Sequence, residues 1–469
     1  MIKAEAEYMP IIEKVYKAKQ EHVFKYWNKL SKKEKKELID SLSDINFEEL
    51  KSNFELIKKK EESNKKLEPA EIVPIPKNKQ QEKYRQKALN AGRNYLKKGK
   101  VAAFLVAGGQ GTRLGFEGPK GCFKISPVKK KTLFQIFAEK ITAIQKKYQT
   151  EIPWYIMTSI ANDKQTKKFF KQHKYFSLSP ENIIFFTQKE IPAIDEKGKL
   201  MLETKSRAFK NPNGHGGSLL ALHESGALKD MKKRKIKEIF YFQVDNPLVR
   251  MVDPVFIGYH VLANAQMSTK IVKKTNPDEK VGVVGYINGK LGVIEYSELS
   301  EKEKNAKSNS GELLFSAGNI AIHLLNKKFV EKLNKKGFKL PYHKAVKKIP
   351  TAEGEATGIK FETFVFDALQ YTKSSVTMEV VRHDEFAPVK NKDGADSPET
   401  SIQMQNLMYA RWLEYALINI PKDDSGNVQG NIEIHPEFAL DPGELKKKIE
   451  LRFKFPKGNS VYLDSDKNL

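Results

Sequence analysis

The sequence predicts an α/β protein: a Rossmann-like, doubly wound mixed sheet with a helical N-terminal region and a small C-terminal domain. Three observations predict it. Short uninterrupted apolar runs, of the kind buried on both faces of a parallel sheet, recur between residues 101 and 244. Stretches with helical spacing separate them. The first run ends in a glycine-rich turn, and in such sheets ligands lie beyond the carboxyl ends of the strands.

In chain order, residues 1–98 read as helical. Ser31 followed by Glu34 fits a capping box ahead of Leu38, Ile39, Leu42 and Ile45, and Asn46 with Glu49 suggests a second start ahead of Leu50, Phe54 and Ile57. The proline-bearing stretch Leu67 to Lys77 interrupts this pattern, and a further helix is expected through Tyr84 to Leu96. Residues 99–386 form the expected central domain. Its buried strands are Val101–Ala107, Trp154–Ser159, Asn182–Phe186 and Ile239–Val244, with a helix through Leu133, Ile136, Phe137 and Ile141. Phe361, Phe364 and Phe366 alternate as in a strand, and His343 and Lys347 are spaced to share a helical face. Residues 387–469 form the expected C-terminal domain, with helices at Ser401–Ile418 and Glu444–Leu451.

Composition narrows the function. At 39% hydrophobic and 30% charged residues, the chain reads as a soluble globular protein, and no apolar stretch reaches the roughly 20 residues of a membrane span. Met1 to Pro10 lacks the apolar block of a signal peptide, and the single cysteine, Cys122, cannot form an intrachain disulfide. A cytoplasmic protein is expected. The formal charge of +25 raises nucleic-acid binding, but the lysines are scattered along the chain rather than gathered in one stripe. A solvated basic surface that attracts small anionic substrates is the better reading, so no nucleic-acid or membrane partner is expected.

The turn after the first strand reads Ala107-Gly108-Gly109-Gln110-Gly111-Thr112-Arg113-Leu114-Gly115, then Phe116-Glu117-Gly118-Pro119-Lys120-Gly121. Four glycines among the eight positions from Gly108 to Gly115 let main-chain N–H groups approach an anion. Arg113 adds a planar fork suited to phosphate, and Pro119 stiffens the approach to Lys120. There is no Gly-Lys-Ser/Thr ending, so this is not a P-loop; the Gly109, Gly111, Gly115 spacing is one residue longer than the dinucleotide fingerprint.

GGQGTRLG followed by PKG resembles the signature loop of the nucleotide-sugar pyrophosphorylases, and within them the eukaryotic-type UDP-N-acetylglucosamine pyrophosphorylases. The likeness spans roughly residues 90–415 and includes VDNPLVRMVDPVFIG at Val244–Gly258, VIEYSEL at Val293–Leu299, SAGNI at Ser316–Ile320 and EFAPVKN at Glu385–Asn391. It implies a nucleotide-diphospho-sugar transferase fold and the joining of UTP to a sugar 1-phosphate, N-acetylglucosamine 1-phosphate first, with release of pyrophosphate. It also implies roles. Ala107, Gly108 and Gly109 would contact the nucleotide through the main chain, with Gln188 reading the uracil edge and Gly214 giving the base room. Arg113 would hold the departing pyrophosphate, Lys120 the charge on the α-phosphate, and Lys390 the sugar phosphate. Asp245 would bind Mg²⁺, a cation that typically takes one or two carboxylates plus phosphate oxygens. Glu295, Asn319 and His215 would face the sugar.

Two departures bear on the sugar. The acetylglucosamine branch usually carries asparagine where this chain has His215, and methionine and tyrosine where it has Cys122 and Phe123. A Gly-His-Gly run is similar to UDP-glucose and broad-specificity enzymes, although Gly217 stands where those usually carry aspartate. A UDP-glucose or broad-specificity enzyme is therefore the alternative, and a non-enzymatic polyanion binder the remote one.

Overall fold

A computed structural model describes residues 1–58, 65–309, 311–335, 340–424, 426, 428–449, 453, 455 and 460–464, the side chains of 56–58 excepted. Two compact units emerge, both discontinuous in sequence. One comprises Met1–Lys65, Gln188–Leu220 and Lys339–Asp367; the other comprises Lys66–Thr187, Ala221–Phe338 and Ala368–Leu469.

The larger unit carries a ten-stranded mixed sheet. Its strands are β1 (Leu67–Pro69), β2 (Val101–Val106), β3 (Trp154–Thr158), β4 (Ile183–Thr187), β5 (Glu238–Gln243), β6 (Met267–Lys273), β7 (Val283–Ile287), β8 (Lys290–Ile294), β9 (Ala317–Asn326) and β10 (Thr377–Glu379). The order along the main path is β1-β7-β9-β5-β2-β3-β4; β6 pairs with β9 and β10, and β8 with β7. The block β5-β2-β3-β4 is parallel. The residues of β2, β3 and β5 are almost wholly buried, as a sheet covered on both faces requires, whereas β4 at the edge is partly exposed. All four strands expected from the apolar runs are present to within a residue at either end.

The chain leaves β2 toward β3 on one side and later returns to β5 on the other, so the strand order reverses between β2 and β5. That reversal opens a crevice at the carboxyl ends of the two strands. Val106 is in register with Gln243, and Val244 N donates to Val106 O at 3.1 Å, so the glycine loop and the Asp245 loop leave the sheet side by side. β9 runs antiparallel to β5, with His323 opposite Tyr241, which places the start of β9 at this same end.

Helix Leu133–Tyr148 is capped by Thr132, whose hydroxyl accepts from Gln135 N, and buries Leu133, Phe134, Phe137 and Ile141 against the sheet core. Helix Lys79–Lys97 matches the expected helix through Tyr84 to Leu96. The C-terminal part has its own small core under helix Pro398–Tyr415. Helix Pro442–Lys448 stands where Glu444–Leu451 was expected, and residues 450 and 451 lie outside the described residues.

The smaller unit packs helices Met9–Lys17, Lys32–Ser43 and Phe47–Lys58 around a core that includes Ile12, Leu38, Leu42 and Phe54 together with Ile194 and Ile359. The Ser31–Glu34 capping box forms, and Asn46 Oδ1 accepts from Glu49 N at 3.1 Å. The side chain of Ile57 lies outside the described residues. The expected helical face of His343 and Lys347 is corrected here. Both lie on strand His343–Thr351, paired antiparallel with Gly354–Glu362, where β-branched neighbours and a turn at Gly354 favour a hairpin. Only Phe361 of the three phenylalanines belongs to that hairpin; Phe364 and Phe366 follow its end at Glu362.

Candidate active site

At the end of β2 the glycine loop is tied to itself and to its neighbours. Gly111 N donates to Gly118 O at 2.9 Å, and Lys120 N donates to Gly109 O at 3.1 Å, folding the loop into a closed ring. Asn162, just after β3, anchors it from beneath: its amide donates to Ala107 O at 3.0 Å and Gly109 O at 3.3 Å. These bonds turn the loop carbonyls inward, into the protein. Gly109 and Arg113 remain exposed, whereas Lys120 is half-buried and donates to Val389 O at 3.3 Å.

Charge converges here. Burial pushes the Lys120 ammonium below its ordinary value; Asp245 opposes that effect, while Arg113 and Lys390 reinforce it. Four of the residues expected from sequence thus share one electrostatic neighbourhood. Asp245 sits half-buried just past β5, and its carbonyl accepts from Val389 N at 2.8 Å, which holds the segment carrying Lys390 alongside. Lys390 itself pairs with Asp396 at 3.1 Å.

Asn319 and Glu295 gather around a second point. Asn319 N donates to Gly282 O at 2.9 Å, and Glu295 Oε1 lies 3.5 Å from where a side chain on Gly282 would begin. Asn319 also has a local task. Three β9 residues, Ile320 to Ile322, face Lys270 alone in the ladder, and Asn319 Oδ1 accepts from Ala321 N at 3.1 Å where Ala321 takes φ +54°. The asparagine oxygen is therefore occupied in stabilising a bulge.

The remaining expected residues belong to the smaller unit. Gln188, directly after β4 in the chain, is only 7% exposed, and its Oε1 is a buried acceptor without a donor among the described residues. Gly214 adopts φ +67°, and a side chain there would meet Thr363 O at 2.5 Å. His215 Nδ1 accepts from Val365 N at 3.2 Å, and its ring stacks on Phe364 at 5.2 Å between centroids. Burial, helped by His343, pushes its pKa down to about 4.

Several residues escaped the sequence reading. Asn162 gave one signal, a polar residue just past the carboxyl end of a strand. Lys140 reaches from helix Leu133–Tyr148 to donate to Pro247 O at 2.6 Å and Val249 O at 3.0 Å, with burial bringing its pKa down to about 7. Lys270 stands in the middle of β6 and is wholly buried; a lysine so placed needs a charged partner. Cys122 is half-buried, and burial pushes its thiol up to about 12, well away from a reactive thiolate.

A glycine-rich loop at the strand-order reversal of a doubly wound sheet, ringed by cations and one carboxylate, defines a nucleotide-handling α/β transferase. A family profile described as UTP–glucose-1-phosphate uridylyltransferase matches residues 46–415, and the chain belongs to this family of uridylyltransferases. It is 36% identical to UDP-N-acetylglucosamine diphosphorylase 2 of Arabidopsis thaliana over 426 residues, 86% of this chain and 84% of that one. It is 37% identical to the UDP-N-acetylglucosamine pyrophosphorylase of Saccharomyces cerevisiae over 431 residues, 85% and 90% of the two chains. The crystal structure of the uridine diphosphate N-acetylglucosamine pyrophosphorylase of Trypanosoma brucei, solved with an inhibitor, superposes with a TM-score of 0.85 at 28% identity, covering 99% of this chain and 100% of that one. A UDP-glucose phosphorylase from the same organism shares the fold at a TM-score of 0.59 and 16% identity, over 86% of this chain and 85% of that one.

Proposed function

We propose that the protein makes UDP-N-acetylglucosamine and pyrophosphate from UTP and N-acetylglucosamine 1-phosphate. One observation carries this reading: at the mouth of the β2–β5 crevice the Lys120 ammonium donates to Val389 O, Val389 N donates to Asp245 O, and Asp245, Arg113 and Lys390 each act on the Lys120 charge, beside a loop that keeps Gly109 exposed. The attacking atom is a phosphate oxygen of the sugar 1-phosphate, already anionic, so no general base is needed. It bonds to the α-phosphorus of UTP in line with the bond to the leaving pyrophosphate, which breaks. Lys120 meets the charge that builds on the α-phosphate, Arg113 takes the pyrophosphate, and Lys390 holds the sugar phosphate.

Ala107, Gly108 and Gly109 are assigned to the nucleotide main-chain contacts. Gln188 and Gly214 are assigned to the base, since a buried amide oxygen lacking a donor suits the N–H of a uracil edge. Glu295, Asn319 and His215 are assigned to the sugar; with its oxygen held by the bulge, Asn319 offers its amide N–H groups.

Asp245 is the residue assigned to Mg²⁺. Among the described residues no cluster of three or more His, Cys, Asp or Glu could hold a metal. That suits a cation bound by one carboxylate and completed by phosphate oxygens. When bound, it neutralises charge on the phosphates. No helix among the described residues is long and apolar enough to cross a membrane. With one buried-leaning cysteine, we place the protein in the cytoplasm, with UTP and sugar 1-phosphate as its partners and no nucleic acid or membrane.

The test is a substrate panel: pyrophosphate release from UTP with N-acetylglucosamine, N-acetylgalactosamine and glucose 1-phosphates, each with and without Mg²⁺. The reading expects the highest kcat/KM for N-acetylglucosamine 1-phosphate. A preference for glucose 1-phosphate would move the chain to the UDP-glucose enzymes, and no release with any sugar would end the reading.

A further inference from the structure

Next to the Asp245 loop lies a cluster of buried charge, Lys270, Asp253 and Glu385. Lys270 is 0% exposed and donates to Asp253 Oδ2 at 2.8 Å and to Glu385 Oε2 at 2.5 Å. Asp253 in turn caps helix Pro254–Leu262 by accepting from Val255 N, and Arg250 approaches it at 3.8 Å. Lys270 reaches this position because it stands opposite the β9 bulge, which bends the ladder at that residue. Glu385 opens the segment that ends in Lys390. Asn246, the neighbour of Asp245, spans the gap: its amide donates to Glu385 O at 2.7 Å, and its Oδ1 accepts from Ala387 N at 3.1 Å. Val389 N then bonds to Asp245 O, and Val389 O accepts from Lys120.

We infer that Lys270, Glu385 and Asn246 are positioning residues that fix the separation between the Asp245 carboxylate and the Lys390 ammonium. Asp245 and Lys390 sit on two segments joined edge to edge, and the Lys270–Glu385 pair pins one segment to the sheet while Asn246 pins the other to it. A buried charge layer is a poor source of stability, because apolar residues of similar size often serve as well or better. Its geometry, in contrast, is strict: one ammonium placed between two carboxylates allows little sliding. The same Asn319 that is assigned to the sugar stabilises the bulge opposite Lys270, so one irregularity in β9 serves both ends of the arrangement.

This inference rests on the roles proposed for Asp245 and Lys390. The experiment compares Glu385→Gln, Lys270→Met and the double variant K270M/E385Q with Asp245→Asn and Lys390→Ala. Calorimetric titration of UTP, with and without Mg²⁺, accompanies steady-state kinetics and thermal melts. The double variant leaves Asp253 with Arg250 and so avoids an unpaired buried charge if a single variant does not fold. We expect kcat to fall about 10–100-fold, as loss of a supporting residue behind a metal ligand does, with the KM for UTP moving less than about threefold. The gain in UTP affinity that Mg²⁺ brings shrinks, while Mg²⁺-free UTP binding stays put. A folded double variant with wild-type kcat and an intact Mg²⁺ gain overturns the inference, whatever its melting temperature. If Asp245→Asn and Lys390→Ala are themselves fully active, the functional reading fails instead.

Discussion

Glycine is used for opposite reasons in two parts of this molecule. In the run Gly214 to Gly217 the protein itself demands it. Gly214 takes φ +67°, and side chains at Gly214 and Gly216 would meet the backbone of Thr363 and Phe364 at 2.5–2.6 Å. In the loop after β2, Gly109 faces no heavy atom within 4 Å, lies outside the positive-φ set and is exposed. Nothing in the fold requires glycine there. A glycine the packing does not need is reserved for something outside the chain, and here that something is assigned as the triphosphate.

The largest expected effect breaks or sharpens this contrast directly. Gly109→Val begins its side chain where no protein atom lies within 4 Å of the Cβ, so the thermal midpoint should stay within about 2 °C of wild type, as for a surface change away from packing. If the main chain approaches a phosphate there, displacing the ligand by about 1 Å should lower kcat/KM by roughly 100-fold. A Gly109→Val enzyme with wild-type kcat/KM would remove the loop from nucleotide binding.

Gln188 comes next. A side-chain oxygen that is buried without a donor is a liability that binding would relieve. Gln188→Leu should therefore leave stability equal or raised. Against UTP it should cost about 10- to 50-fold in kcat/KM, since the bond to a buried polar partner goes unmade. A drop in stability with unchanged kinetics would show that the glutamine serves the fold instead. Gly214→Ala should do the reverse of Gly109→Val: placing a methyl group against Thr363 O at φ +67° should cost about 1–3 kcal/mol, read as a lower urea midpoint.

The strands and the loop were legible because both are local. Four apolar runs made four parallel strands, and the glycine spacing marked where β2 ends. The two units were not legible as linear segments, because residues 188–220 and 339–367 leave the chain order to join the N-terminal helices. Lys270 shows a second limit. It went unnoticed in the sequence because its partners lie 17 residues upstream and 115 downstream, a pairing that only the folded chain creates. The His343–Lys347 spacing misled for a related reason. Spacing of four fits a helix, yet pairing with Gly354–Glu362 made that stretch a hairpin.

The smallest effect concerns pH. His215 accepts a hydrogen bond at Nδ1 from Val365 N and stacks on Phe364, whose ring is also stacked by His343 at 4.5 Å. Both burial and the accepted bond favour the neutral ring, and the folded pKa lies near 4 against about 6.5 in an unfolded chain. Between those values the unfolded state binds the extra proton, so stability must fall as pH drops through the window from about 6.5 to about 4 and level off below it. Above pH 6.5 both states are neutral at this ring and the effect vanishes. His215→Phe keeps the aromatic stack and cannot ionise. The loss of urea midpoint between pH 7 and pH 5 should accordingly be smaller in that variant than in wild type, with equal slopes in both. His343→Phe removes only the second cause of the depression and should recover a smaller share, leaving burial to account for the rest. Parallel pH dependence in all three proteins would mean that His215 is readily protonated in the folded state, and that its neighbours do not keep it neutral.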